Sequence, residues 1–463
     1  MRQQSVHARA KALREAAQRQ SSTTPIVAAA AGGGGSGRIQ TQYWIQTLFA
    51  PEEFDNQIYL QSLTMDRTGS VYSLSNPNFD LAPGLLTRRF ANDGSLTWQS
   101  LSEVTSYESN IEAGAVKTLI YQGHLYSLYS TIITKQTLSG ELVWQSSWNA
   151  DTNEDDVFIF VGFAIDAQGS IFICSISDDD TYIHKASSQT GEIVKTVQLS
   201  VDTSESTYFN ASPLIDSAGN VIVACNWPGY YSTLVKIDPS LTTILSSFTM
   251  DDEAFEGDGD VTATTIDQND IVYANQYGRS IYAFDTRTGS VVWTKQDDSG
   301  DNAYHLAVTP LGSVYWVGEE NWEDVGGDDS RTIITILKFG TGGNLDWATG
   351  IRYVPSDNDF EVTGWDSVGT SGAQIVGDAL LITAEVQLDG PDTETILKLP
   401  LTQVLGTYGD YEFFDITNEV SLTSPAPASV PAIPTLSPTT SPTPVSYVPV
   451  EMVIEQTKII NKI

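Results

Sequence analysis

The sequence predicts an all-β fold: a seven-bladed β-propeller of four-stranded blades, with a short N-terminal helix and a Pro-rich C-terminal extension. Three observations predict it. A hairpin recurs along the chain, clearest in IYAFDTRTGSVVWTKQ from Ile281 to Gln296. Its copies follow one another at about 50 residues, the period of a four-stranded blade. One further strand, around Trp44, stands before the first repeat with no partner of its own.

The hairpin shows why the repeat is β. Around Tyr282 and Phe284 the residues alternate with the period of two expected of a strand. Asp285 to Gly289 supplies the turn, and Gly289 can take a positive φ where a side chain would clash. Val291, Val292 and Trp293 return the chain. The equivalent first turns are Asp66–Gly69, Gln122–Gly123, Asp166–Gly169, Asp216–Gly219, Asp267–Asp270, Thr309–Gly312 and, most degenerate, Gly377–Asp378. Second strands start at Val71, Leu125, Ile171, Val221, Val272, Val314 and Leu380. Fourth strands carry Trp98, Trp144, Lys195, Leu245, Trp293 and Trp347, and the seventh is placed around Val404 to Phe414. A four-stranded sheet cannot bury both faces alone, and stacking blades about an axis buries them. Tryptophan near a blade's outer edge can wedge between adjacent sheets. The Trp44 strand can supply the outer strand of the seventh blade and so close the ring.

In chain order, residues 1–20 form a basic arm of high helix propensity. Arg2, Arg9, Lys11, Arg14 and Arg19 face only Glu15, so an acidic partner, including another copy of this chain, suits it. Residues 21–41 read as a Gly/Ala/Ser linker and 42–420 as the propeller. Residues 421–446 read as a Pro/Thr/Ser-rich spacer. In 447–463, Val448, Val450, Met452 and Ile454 alternate, which predicts a strand-like docking segment for another chain or an exposed sheet edge.

The formal net charge is −35. Such a field repels nucleic acid and anionic membranes. No apolar run approaches the roughly 20 residues of a membrane helix, and the first residues lack the apolar core of a secretory signal. Cys174 and Cys225 follow their turn glycines by five and six residues, which sets them on opposite faces of their sheets and argues against a disulfide. His7, His124, His184 and His305 have no ligand spacing and read as surface or packing residues.

Strand alternation sorts the loops. Turns between first and second and between third and fourth strands share one face. Second-to-third loops and blade-to-blade links share the other. Runs such as Asp178–Asp180, Glu319–Asp329 and Asp251–Asp260 all fall on that second face. Asp258, Asp260, Asp357 and Asp359 are its candidate Ca²⁺ ligands, carboxylates being hard oxygen donors, though neither group matches an EF-hand loop. Trp227, Tyr230, Tyr231, Trp322 and Trp365 lie in the same loops and are candidate ligand contacts, since rings stack on sugars.

IYAFDTRTGSVVWTKQ is similar to the repeat of pyrroloquinoline-quinone-type propellers. LTMDRTGSVYSLS and FAIDAQGSIFICSIS are similar to the seven-bladed propeller repeat of bacterial surface and phage proteins. The resemblance implies the fold and leaves the role open. Quinone-dependent dehydrogenases of this type are secreted and carry a neighbouring cysteine pair, and this chain shows neither feature. The layout as a whole resembles a tailed-bacteriophage structural protein.

The expectation is therefore a non-enzymatic virion component of a tail or its appendages, with no cofactor apart from possible Ca²⁺. The propeller would be a rigid docking disc among other virion proteins, with both termini as attachment arms. A host-glycan-binding adhesin is the alternative, and a hydrolase on the same face the third. Hydrolysis of glycosides needs two placed carboxylates, which 58 acidic residues neither single out nor exclude.

Overall fold

The computed structural model describes residues 22–26, 41–49, 58–77, 84–103, 117–129, 132–147, 159–177, 180–201, 209, 211–227, 231–251, 261–276, 280–297, 303–323, 330–354, 368–386, 393–408, 411–424, 428–429, 434–438 and 454–458. These build seven antiparallel blades. Blade 1 runs Ile58–Met65, Val71–Pro77, Gly84–Phe90 and Leu96–Glu103 from axis to rim. Blade 2 uses Lys117–Tyr121, His124–Tyr129, Ile132–Thr137 and Leu142–Ser147. Blade 3 uses Ile159–Ile165, Ser170–Ser177, Asp180–Ser187 and Ile193–Val201. Blade 4 uses Leu214–Ile215, Val221–Trp227, Tyr231–Ile237 and Ile244–Asp251. Blade 5 uses Val261–Ile266, Ile271–Gln276, Ser280–Asp285 and Ser290–Asp297. Blade 6 uses Ala303–Val308, Val314–Glu323, Ser330–Phe339 and Leu345–Tyr353. Blade 7 takes Val368–Val376, Ala379–Val386 and Thr393–Pro400, and its fourth strand is Tyr43–Phe49. The ring thus closes between the two ends of the propeller, with Trp44 opposite Lys398.

The first turns are fixed by their aspartates. Asp66 Oδ1 accepts the amides of Thr68 and Ser70 at 2.8 and 3.0 Å. Asp166, Asp216 and Asp267 repeat the arrangement with the amides two and four residues on. This side chain-to-backbone pattern is what makes Asp a turn-former. All four are buried, so these carboxylates are committed to turns.

Adjacent blades are joined by a repeated clasp. Ser188 O, in the third-to-fourth turn of blade 3, accepts three bonds from blade 2: Tyr126 Oη at 3.2 Å, Lys135 Nζ at 3.1 Å and Trp144 Nε1 at 3.2 Å. Trp98 reaches Leu138 O, Trp293 reaches Thr341 O and Trp44 reaches Asn92 O in the same way. In blade 3, Lys195 stands where other blades have Trp, and its Nζ takes the equivalent bond, to Ser240 O at 2.7 Å. Each indole packs where its polar N–H finds a carbonyl and its ring finds apolar cover.

Five expectations are corrected or refined. The seventh blade's fourth strand does not lie at Val404–Phe414. Gly406–Tyr408 and Tyr411–Asp415 instead extend blade 6 outward, because the Trp44 strand already occupies the place in blade 7. Within the stretch read as an N-terminal linker, Ser22–Ile26 forms a fifth strand on blade 7. The Pro-rich spacer contains strands too. Leu422–Thr423 pairs with blade 5, Ala428–Ser429 with blade 4 and Pro434–Pro438 with blade 3. Proline lacks an N–H but is tolerated on an edge strand, where one side needs no donor. The segment from 447 contributes Ile454–Lys458, including Ile454, which pairs with the edge of this chain's own blade 1. Finally, Cys174 and Cys225 are buried free thiols that meet in one core between blades 3 and 4. Opposite faces of neighbouring sheets look at each other, so facing away within a sheet does not keep them apart.

Candidate functional site

Three features could carry function: the loop face, the central channel and the rim. The residues 1–20, with Arg2, Arg9, Lys11, Arg14 and Arg19, lie outside the described residues, as do Val448, Val450 and Met452. So do Tyr230, Trp365 and the Ca²⁺ candidates Asp258, Asp260, Asp357 and Asp359. Among the described residues no group of three His, Cys, Asp or Glu could hold a metal ion.

On the loop face the backbone places three of the five predicted aromatic contacts. Trp227 and Tyr231 are opposite each other where the blade 4 hairpin ends. Trp322 is opposite Arg331 near the end of the blade 6 hairpin. That hairpin is the longest in the molecule among the described residues, ten residues in each strand. The second strands of the other blades have six to eight. At ~3.4 Å per residue it reaches about 7–14 Å further along the loop face. Glu319, Glu320 and Glu323 lie on its outer half, and Asp180, Asp251 and Asp297 lie at strand ends on the same face.

The channel is a cavity of about 500 Å³ walled by the innermost strands of all seven blades. Ser62, Thr118, Ser212 and Thr264 give it a polar lining, with His305 and Lys117 its titratable groups. Ser62 and Thr118 hold blades 1 and 2 together, with the Thr118 amide donating to Ser62 Oγ at 2.9 Å. Burial pulls the Lys117 ammonium down to about 8, against a small opposing pull from Cys174. Its unfolded value is near 10.5, so between these values the unfolded chain binds more protons and stability rises with pH. The cost of the buried charge is complete below pH 8 and gone above 10.5. Lys117→Met is expected to stabilise the protein by about 1–3 kcal/mol at pH 7. In paired thermal melts its advantage shrinks by pH 10, and an advantage independent of pH would contradict this account.

Reasoning from the sequence missed the third-strand cations. Arg89, Lys135, Lys185, Lys236, Lys338 and Lys398 occupy equivalent places in six blades. Lys135, Lys185 and Lys236 reach carbonyls of the next blade, and Lys398 crosses the closure to Gly69 O at 2.8 Å. The signal was present: a Lys or Arg two residues from the end of each strand or nearby, in a chain with only 23 such residues.

Repeated clasps, Asp-fixed turns and a closure strand define a β-propeller of the quinoprotein-repeat type. Residues 84–321, just over half of the chain, match the family model described as outer membrane protein assembly factor BamB, and the chain belongs to that family. No curated protein matches the chain. Similar solved structures include BamB from Moraxella catarrhalis, 15% identical over 73% of this chain and 85% of that one, with a TM-score of 0.42. Raptor from Chaetomium thermophilum is 11% identical over 75% of this chain and 29% of that one, with a TM-score of 0.49. A protein of unknown function from Bacteroides caccae is 12% identical over 57% of this chain and 89% of that one, with a TM-score of 0.38.

Proposed function

We propose that the protein is a non-enzymatic docking platform within a larger protein assembly, and that the loop face is its contact surface. The observation that carries this reading is the blade 6 hairpin, Val314–Glu323 with Ser330–Phe339, which stands above its neighbours and bears Trp322 and Arg331 near its end. Aromatic and Arg side chains are the residue types that dominate protein interfaces. Family membership supports the reading, since the family is described as an assembly factor. Clasps on the opposite face hold the blades rigid, which lowers the cost of ordering a binding surface. The particular assembly is a phage virion in this proposal, and its support is the layout of basic arm, propeller and Pro-rich extension.

The expected result of replacing residues 320–332 by a short Gly-Ser turn is a melting temperature within about 3 °C of the parent and at least tenfold weaker binding to the neighbouring protein. Cross-linking with mass spectrometry on assemblies purified from the source cells identifies that neighbour. Cross-links confined to the first-turn face, or unaltered binding after the replacement, would sink the platform reading. Absence of the protein from purified phage particles would remove the virion assignment and leave the platform intact.

A further inference from the structure

Half-way along the central channel the inner strands meet in one layer. Ser62, Lys117, Gly162, Ala263, His305 and Gly372 each lie opposite the fourth residue of a second strand, counted from Val71, Leu125, Ile171, Val272, Val314 and Leu380. Ser212 takes the same place in blade 4, four residues before Asp216 as Ser62 is before Asp66. Five of these seven residues are Ser, Gly or Ala, so the middle of the channel is left open. The two large ones, Lys117 and His305, belong to blades 2 and 6, three blades apart around the ring. Residues opposite one another share a face of the sheet. Leu128, opposite Lys117, packs in the core shared with blade 3, and Val317, opposite His305, in the core shared with blade 7. Each long side chain therefore faces a blade whose residue in this layer is glycine, Gly162 or Gly372.

We propose that this layer binds a small tetrahedral oxyanion, of the size of phosphate or sulfate, with the Lys117 ammonium as its counter-charge and the channel hydroxyls as further donors. Lys117 lines the cavity, and among the described residues no hydrogen bond or ion pair engages its ammonium. No carboxylate acts on it either: burial pulls its pKa down, and the one opposing influence is the Cys174 thiol. A charge withdrawn from bulk water without a partner is costly, and such groups are characteristic of sites that take a ligand. No Asp or Glu lines the channel among the described residues, although the chain has 58.

Seven Ser and Thr residues and Gln374 line the walls instead. A hydroxyl rotates to suit its partner and can donate to an anion. Ser62 Oγ and Thr118 Oγ1 lie 3.1 Å apart and share one hydrogen, so one of the pair keeps a hydrogen for a third oxygen. Donors on several sides suit an ion with oxygens on all sides better than a carboxylate, which presents two oxygens in one direction. The cavity of about 500 Å³ holds such an ion together with several waters, each needing about 30 Å³.

The net charge of −35 repels anions from the molecule as a whole. At physiological salt that field is screened over about 8 Å, whereas the ammonium acts at contact between walls of low dielectric. The same repulsion keeps polyanions out and leaves the layer to small ions. This inference stands apart from the platform reading, which concerns the loop face.

Titration calorimetry of the full chain with sodium phosphate tests it. One ion is expected to bind per chain, and Lys117→Met is expected to weaken binding at least tenfold. In phosphate-free buffer Lys117→Met is expected to be the more stable protein, so binding lost there is not folding lost. Lys117→Arg keeps the charge and should bind phosphate more tightly than Lys117→Met does. Phosphate should also raise the melting temperature of the parent and leave that of Lys117→Met unchanged. Sulfate should act as phosphate does, while sodium acetate and sodium chloride at the same ionic strength should not. No binding to the parent, equal binding by the Lys117→Met protein, or an equal rise with acetate or chloride would each overturn the proposal.

Discussion

Lys398→Met is expected to lower the unfolding free energy by about 2–4 kcal/mol, the largest loss among the third-strand cations. Lys398 is fully buried in blade 7, and its Nζ donates to Gly69 O and to Asn92 Oδ1, each at 2.8 Å. Both acceptors belong to blade 1, so a single ammonium ties the last blade to the first. It also lies 5.8 Å from the centroid of the Trp44 ring. Methionine keeps the volume, takes the donor from the buried Gly69 O, and leaves the part-buried Asn92 Oδ1 the Gln42 amide at 3.2 Å. Burial lowers the Lys398 ammonium to about 8, so its charge is already costly there, and the hydrogen bonds must outweigh that cost. Lys135→Met, at the rim between blades 2 and 3, removes one of three bonds to Ser188 O and is expected to cost less. Urea unfolding of the two variants decides the matter. A Lys398 variant as stable as the parent would show that strand pairing alone closes the ring.

Gly343→Val is expected to cost about 3–5 kcal/mol, from two independent causes. Gly343 has φ +75°, a region that a β-branched residue enters only with strain. A Cβ there would lie 2.7 Å from Trp293 Cδ2, on the ring that joins blade 5 to blade 6. The ring cannot retreat, because its Nε1 is held by Thr341 O at 3.1 Å and it stacks on Phe339. Gly289, in the turn just before Trp293, is the internal control. Its φ is +70° but nothing lies within 4 Å of the added Cβ. Gly289→Ala should therefore cost only the backbone term, about 1–2 kcal/mol. If thermal melts show equal losses for the two, the ring contact contributes nothing and the clasp is ornamental.

The difference between these two glycines marks what could be read from the sequence. Both sit in recognisable turns, and the turns, the blades and the tryptophan positions were all legible because they repeat. The closure strand was legible for the opposite reason: Tyr43–Phe49 has a strand's pattern and no local partner, so its partner had to be distant. The partner of Gly343 was not legible, since it comes from the preceding blade and depends on how two sheets stack. The outer strands Leu422–Thr423, Ala428–Ser429 and Pro434–Pro438 escaped for another reason. They are two to five residues long and lie in a stretch rich in proline, so they carry no period, and the local chemistry favours an extended spacer. Only the edges they cover make them strands. The channel lysine was hidden because nothing around Lys117 in sequence announces that seven inner strands will surround it. As for the loop face, the sorting of loops by strand direction follows from topology. Acidic residues that the backbone does place, such as Asp180 and Asp297, sit at strand ends on the predicted side.

The closure by Tyr43–Phe49 also has a consequence for synthesis. On the ribosome this strand emerges early, yet its neighbour Thr393–Pro400 is made some 350 residues later. At about 5–20 residues per second that is a wait of roughly 20–70 s. During translation, blades 1 to 6 can assemble one after another while the Tyr43–Phe49 strand stays without its sheet. Its two apolar faces, on which Trp44 and Ile45 end at 1% and 2% exposure, are in that interval open to nascent-chain binders. A strand made before every other strand of the seven four-stranded blades is thus among the last to reach its final place.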